Sequence, residues 1–269
     1  MSASTPALRP LIRSVALPSE HGGWGFLIEP ILLGLFVAAS PMGILLALSA
    51  LGVFLIHQPL KITLKDRLKG RRPLPPRTAW AQRFTVAYAL LALLPFIIIL
   101  INAPPAFLLP IGLALPFAAV QLIYDARNQS RRLIPEVCGA LALAVIAPTI
   151  AILAAWDHPS AAVLWLILAA RVIPSILYIR ARLLLEHGKP VSPYPAWIAH
   201  ILALIILLPL TIAAQPAPAF TLVAFFILLV RALVGLSPWR TPRPAKIIGF
   251  TELALGILTV IFVALSYTL

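Results

Sequence analysis

The sequence predicts an all-α, polytopic membrane protein of about nine transmembrane helices, and three observations carry that expectation. The 269 residues are 61% hydrophobic and only 11% charged, with mean hydropathy +1.02, more apolar side chain than one soluble core can enclose. The apolar residues gather into nine stretches, each near the roughly 20 residues needed to cross a hydrocarbon core about 30 Å thick. The Lys and Arg residues fall almost wholly in alternate segments between those stretches, the partition that the positive-inside rule describes.

The expected spans are 24–39, 42–57, 84–101, 106–123, 135–155, 161–179, 197–213, 220–236 and 247–267, one membrane domain over 24–269 preceded by an interfacial segment, 1–23. The first follows "SEHGGWG", where Ser19 suits an N-cap and the glycines predict a break, leaving Glu20 and His21 as an interfacial element. Gly22, Gly25 and Glu29 fall within an arc of about 60° on a helix, a face that another backbone can approach closely. A cleaved signal peptide is the rival reading, because "FVAAS" offers small residues, but Glu29 and Pro30 are out of place in its apolar region. Spans one, three, five and seven end at "ASPMG", "NAPPA", "WDHPS" and "AQPAPA", turn signals without a basic residue. Spans two, four, six and eight run into basic segments near 58–83, 124–134, 180–196 and 237–246. The first of these, "KITLKDRLKGRRPLPPRTAWAQR", holds eight basic residues and one acid. That alternation places the N-terminus in the cytosol and the C-terminus outside, in keeping with an odd number of spans. Pro30, Pro95, Pro110, Pro116, Pro148, Pro174 and Pro209 lie within spans, where membrane helices tolerate proline and kink around cavities.

Ionisable groups inside spans are costly and usually face a bundle interior. Glu29, Glu136, Arg171, Arg231 and Glu252 are the five here, and Arg171 lies deepest. Pairing of the three glutamates with the two arginines is the structural reading; a site opening to the cytosol is the functional one. The basic loops add Asp66, Arg67, Arg72, Tyr124, Asp125, Arg127, Arg131, Tyr178, Arg180 and Arg182 on the cytosolic side, while the outer halves of the spans stay plain.

The net charge of +13 is first a topology signal, so no nucleic-acid partner is expected. Cys138 is the only cysteine and lies in an apolar run, which gives no disulfide framework and no thiol metal site. The five histidines have no metal-ligand spacing. No phosphate-binding glycine loop or nucleophile elbow occurs, so no cofactor is expected from the residues themselves.

"LPSEHGGWGFLIEPILLGL", "DRLKGRRPLP", "YDARNQSRRLIPE" and "RVIPSILYIRARL" together resemble the YwiC-like family of bacterial multi-pass membrane proteins over nearly the whole chain. The resemblance implies the bacterial cytoplasmic membrane and no assigned activity. More faintly, nine spans with long loops after the second and sixth are similar to the UbiA superfamily of intramembrane prenyltransferases, which implies a UbiA-like bundle. Of that superfamily's first acidic motif the chain keeps Asp66, Arg67 and "RPLP" from Arg72, but has Gln58, Pro59 and Ile62 where Asn, Asp and Asp are expected. At the second motif it has Arg180 and Arg182 in place of spaced aspartates, with Glu186 beyond. The superfamily's Mg2+ needs those carboxylate oxygens against a prenyl diphosphate, so the ordinary Mg2+ mechanism does not carry over with the resemblance.

The leading expectation is therefore a UbiA-like intramembrane enzyme or lipid-binding protein, its cytosolic cavity taking an isoprenoid-like or other amphiphile with an anionic head. Arg67, Arg72, Arg127, Arg171, Arg180 and Arg182, with Tyr124 and Tyr178, are the candidate binding residues, since guanidinium forks match phosphate without a metal. Asp66, Asp125, Glu20, His21 and Glu29 are the candidate acids, bases or cation stabilisers. A secondary transporter using Glu29, Arg171 and Glu252 as a relay, and a non-catalytic accessory protein, are the alternatives.

Overall fold

A computed structural model of the chain describes residues 8–17, 21–68, 76–213 and 219–268. The described residues are helical and contain no strand. Eleven α-helices follow one another: α1 (Leu8–Ala16), α2 (His21–Val37), α3 (Pro41–Leu68), α4 (Pro76–Asn102), α5 (Leu108–Ala126), α6 (Leu133–Ala144), α7 (Ile146–Leu153), α8 (His158–Glu186), α9 (Tyr194–Ala213), α10 (Ala219–Gly235) and α11 (Ala245–Thr268). Each of the nine expected spans falls on one helix, or on the α6–α7 pair. Among the described residues six rods are long and apolar enough to cross a membrane: Pro41–Leu68, Arg77–Asn102, Pro105–Ala126, Leu133–Leu153, His158–Glu186 and Ala245–Tyr267. Gly23–Val37, Tyr194–Leu210 and Phe220–Gly235 are shorter apolar helices. The chain is a multi-pass helical membrane protein.

One local expectation needs correction. The glycines of "HGGWG" do not break the first span, since α2 begins at His21 and runs through them unbroken. Helix propensity is a weak prior, and here it yields to packing: a β-carbon on Gly25 would sit 3.7 Å from Leu253 of α11, so this glycine face meets another helix. The fifth expected span is present as one rod, Leu133–Leu153, with a one-residue interruption at Val145. Pro148 lacks an N–H and crowds the carbonyl four residues back, and the rod divides at Val145 into α6 and α7. Thr149 restores part of the loss: both its backbone N–H (3.0 Å) and its hydroxyl (2.7 Å) donate to the Val145 carbonyl.

The chain forms two compact units. One comprises Met1–His21 and Ile44–Pro104, and so holds α1, most of α3 and α4. In it Ser49 donates to the Ala92 carbonyl (2.8 Å), and Gly52 lies so close to α4 that an added β-carbon would be 2.5 Å from the Ala92 nitrogen. The small residues therefore set this helix crossing. The Tyr88 hydroxyl donates to the Ala16 carbonyl (3.0 Å) and ties α1 to α4.

The other unit comprises Gly22–Gly43 and Pro105–Leu269. Its axis is α8, which packs against α6, α7, α9, α10 and α11. Leu33, Ala147, Ala151, Leu164, Ile167, Leu207, Phe225 and Val263 form its largest apolar cluster. The alanines let α2, α7 and α8 approach, and Gly34 does the same, since a β-carbon there would meet the Ile150 side chain at 2.9 Å. Large apolar side chains left outside, such as Leu113 and Leu115 of α5 and Phe226 of α10, suit the lipid that surrounds such a bundle.

Candidate functional site

Four ionisable side chains meet inside the second unit. Glu29 of α2 is 3% exposed and Arg171 of α8 is also 3% exposed, and without a partner either would be too costly to leave ionised in an apolar interior. They pair at 3.1 Å (Arg171 Nη2 to Glu29 Oε1), and the same nitrogen donates to the Glu252 carbonyl at 3.2 Å. Arg171 Nη1 reaches the Ser175 hydroxyl one turn on (2.5 Å). Arg231 of α10 donates to that hydroxyl as well (3.3 Å) and pairs with the Glu252 carboxylate of α11 (3.0 Å). The result is a charge-balanced cluster of two arginines and two glutamates drawn from four helices, with Ser175 joining its halves. Gly256 makes room for it: a β-carbon there would collide with the Glu29 carboxylate.

The cluster continues to the end of the unit where α8 and α10 finish and α11 begins. The Arg231 guanidinium lies 3.9 Å over the Tyr178 ring, a cation–π contact. Gly235 permits it, because any side chain there would strike the Tyr178 hydroxyl and ring. Arg182, one turn beyond Tyr178, is buried; it donates to the carbonyls of Gly235 and Thr241 and pairs with Glu186 at 2.8 Å. Arg240 reaches the Leu185 carbonyl at 3.5 Å. A cleft of about 200 Å3 opens among these groups, its walls carrying Arg182, Arg231, Arg240 and Arg243 against one acid, Glu252. Behind its walls Nε of Arg182, Nε and Nη1 of Arg231, Nε of Arg240 and Oε1 of Glu186 are enclosed by protein and make no hydrogen bond.

A family described as YwiC-like protein matches residues 17–151. The chain belongs to the YwiC-like family. The matched half of this YwiC-like protein contains Glu29, Asp66 and Asp125 and stops before Arg171, Arg182, Arg231 and Glu252. No curated protein and no solved structure matches the chain.

The remaining sequence candidates of this YwiC-like chain are dispersed. In the first unit Asp66 is 1% exposed and held by Arg77, through Nη2 at 2.8 Å and Nε at 3.3 Å, and by the Thr78 hydroxyl at 2.7 Å. It acts as a staple between the end of α3 and the first turn of α4. Arg67 beside it is exposed. Arg72 and Glu20 lie outside the described residues, and His21 is described only as the first residue of α2. In the second unit Tyr124 and Asp125 are half-buried in the last turn of α5, and Arg127 caps that helix and is exposed. Arg180 turns to the Arg131 carbonyl (3.0 Å) and to Glu136 (2.8 Å), so Glu136 pairs there and is not part of the buried four-charge cluster. A Mg2+ ion of the UbiA kind does not fit these residues: Asp66 is committed to Arg77 and Thr78, and among the described residues no three His, Cys, Asp or Glu side chains group to hold a metal.

The residues that sequence reasoning missed are Ser175, Arg240 and Arg243. The signal lies in "SPWRTPRPAK", whose basic residues read equally as marks of topology.

Proposed function

We propose that this YwiC-like protein binds an amphiphile with an anionic head, as an intramembrane enzyme or lipid-binding protein of UbiA-like kind working without the superfamily's aspartate-held Mg2+. The observation that carries the reading is the cleft among α8, α10 and α11, where four arginine side chains face one carboxylate. A cleft with that balance attracts anions, and arginine forks hold carboxylate or phosphate with two parallel hydrogen bonds. The buried cluster behind it has a supporting role: it neutralises the charges of Glu29, Arg171 and Glu252 and fixes Arg231 over Tyr178 at the cleft wall.

In this reading the cleft opens to the cytosol, the side to which the basic loops assign the ends of α8 and α10. Tyr178 and Arg182 stay candidate binding residues, Arg240 and Arg243 join them, and Arg171 becomes a positioning residue. Lipid extraction and native mass spectrometry of the protein purified in mild detergent test the proposal. The expected result is one class of anionic amphiphile retained by the native chain and depleted from an Arg240→Gln, Arg243→Gln variant of unchanged fold. Bulk membrane lipid in ordinary proportions, equal in both proteins, would overturn it.

A further inference from the structure

The segment "LSPWRTPRP", which joins α10 to α11, is held in one shape and leaves a tryptophan outside. Trp239 is 87% exposed, although an indole ring is among the side chains that gain most from burial. Pro238, Pro242 and Pro244 fix φ at three of its positions. The Ser237 hydroxyl accepts from the Trp239 backbone N–H (3.2 Å) and donates to the Val234 carbonyl (2.8 Å), and the Arg240 N–H returns to the Ser237 carbonyl (3.2 Å). From α8, Arg182 donates to the Thr241 carbonyl, and Glu186 accepts from the Arg243 N–H (3.3 Å). A tryptophan carried on so constrained a backbone is preorganised for a partner, with little ordering left to lose on contact.

Charge and reach name that partner. Lys189, Arg243 and Lys246 are exposed at this end of the second unit, where α8 and α10 finish and α9 and α11 begin. The one acid in segments 180–196 and 237–246 is Glu186, and it is taken up by Arg182 and the Arg243 N–H. A topology signal needs only the number of these cations; a pinned loop with an outward tryptophan is a further provision. The end therefore suits an anionic surface with an apolar layer beneath it. The bilayer lies within reach. α10 has 17 residues, about 26 Å of helix against a hydrocarbon core about 30 Å thick, so a span of that length ends at the core boundary. Four further residues extend at most about 14 Å, which keeps Trp239 near the headgroup zone that tryptophan favours. The Lys246 ammonium, 5.9 Å from the Phe250 ring, is a cation whose stem runs along apolar surface at the same boundary.

We infer that the α10–α11 loop docks on the anionic headgroup surface of the bilayer, on the side that the basic loops assign to the cytosol. The Trp239 ring lies where acyl chains meet headgroups, and Lys189, Arg243 and Lys246 face the negative heads. The partner is the bulk anionic phospholipid of that leaflet, outside the cleft.

The full-length protein in bilayers of mixed phosphatidylcholine and phosphatidylglycerol tests it, with bromine on the acyl chains of one lipid or the other to quench nearby indoles. Trp239 is one of six tryptophans, and the difference between the native protein and Trp239→Phe isolates its emission. That emission is expected to be quenched from both lipids, and more strongly from brominated phosphatidylglycerol. Lys189→Gln and Lys246→Gln are each expected to lower the preference for phosphatidylglycerol about fivefold, with Trp239 still quenched and the melting temperature unchanged. Absence of quenching from both lipids would overturn membrane docking and leave the loop presented to a soluble partner. Equal quenching from the two lipids in the native protein, or a preference that survives both lysine changes, would overturn the anionic assignment. Trp239, Lys189 and Lys246 do not line the cleft, so either failure leaves the amphiphile reading standing.

Discussion

Each unit buries a carboxylate against an arginine, and the two pairs behave as different devices. In the first unit Asp66 meets Arg77 only 11 residues along the chain, and Arg77 is 45% exposed. In the second, Glu29 meets Arg171 across 142 residues, with the arginine 3% exposed. The near pair closes one connection and keeps water on one partner. The far pair joins α2 to α8 in an apolar interior, where each charge depends on the other. Sequence separation and exposure of the partner thus decide whether an ion pair governs a local turn or the assembly of the bundle.

The contrast is broken most severely at the far pair. Glu29→Ala leaves Arg171 buried with Ser175 and a carbonyl, an uncompensated charge whose expected cost is about 3–5 kcal/mol. Thermal unfolding in detergent and loss of monodisperse protein on gel filtration measure it. Glu29→Leu combined with Arg171→Met is expected to cost less than Glu29→Ala alone, because an apolar replacement removes both desolvation demands. If the double variant is the worse of the two, the pair does more than neutralise charge.

Next in size is Asp66→Ala, which strands the Thr78 hydroxyl and frees Arg77. The expected loss lies toward the lower part of about 1–3 kcal/mol, since the half-exposed Arg77 recovers water. Hydrogen exchange is expected to rise over the first turns of α4 and to leave α8 unchanged. Protection lost throughout the protein would erase the distinction between local and global pairs.

Gly235→Ala sharpens the comparison from the cleft side. Its methyl must displace Tyr178 from beneath Arg231, an overpacking cost of about 1–3 kcal/mol. Retention of an anionic amphiphile is expected to fall with it, and unchanged retention would separate Tyr178 from the binding face.

The smallest effect lies at a helix start. Asp157 caps α8, accepting from the Ser160 backbone N–H (2.7 Å) and hydroxyl (2.9 Å), and these donors hold its carboxyl below the ordinary 3.8. A carboxyl lowered on folding contributes stability that is complete above its ordinary value and lost as pH falls through the lowered one. Asp157→Asn, which keeps a capping oxygen, is therefore expected to match the native melting temperature at neutral pH. The two curves should differ in slope only below about pH 4.

Much of this architecture was readable in the residues. The nine apolar runs map onto helices because bilayer burial leaves a one-dimensional trace, and proline, asparagine and aspartate mark the ends. Glu29 and Arg171 were conspicuous because charge is rare in such runs. Their pairing was legible only as one of several, since nothing along the chain distinguishes Arg171 from Arg231 as a partner for α2. Pro148 was visible, but its division of the fifth span depended on the local carbonyl geometry. The cleft was hidden for a different reason. Arg240 and Arg243 sit in a basic loop whose composition serves topology equally well, and only the convergence of α8, α10 and α11 gives them a shared concavity.

The spacing of the buried pairs has a consequence for biogenesis. At roughly 5–20 residues per second, the ribosome makes Arg171 roughly 7–28 s after Glu29, whereas Glu252 follows Arg231 by roughly 1–4 s. The Arg231–Glu252 couple can enter the bilayer nearly together, as a neutral helical hairpin of α10 and α11. Glu29 has no Arg171 to pair with until four further rods and half of α8 have been made, so α2 waits longer for its ion-pair partner during synthesis than α10 does for its own.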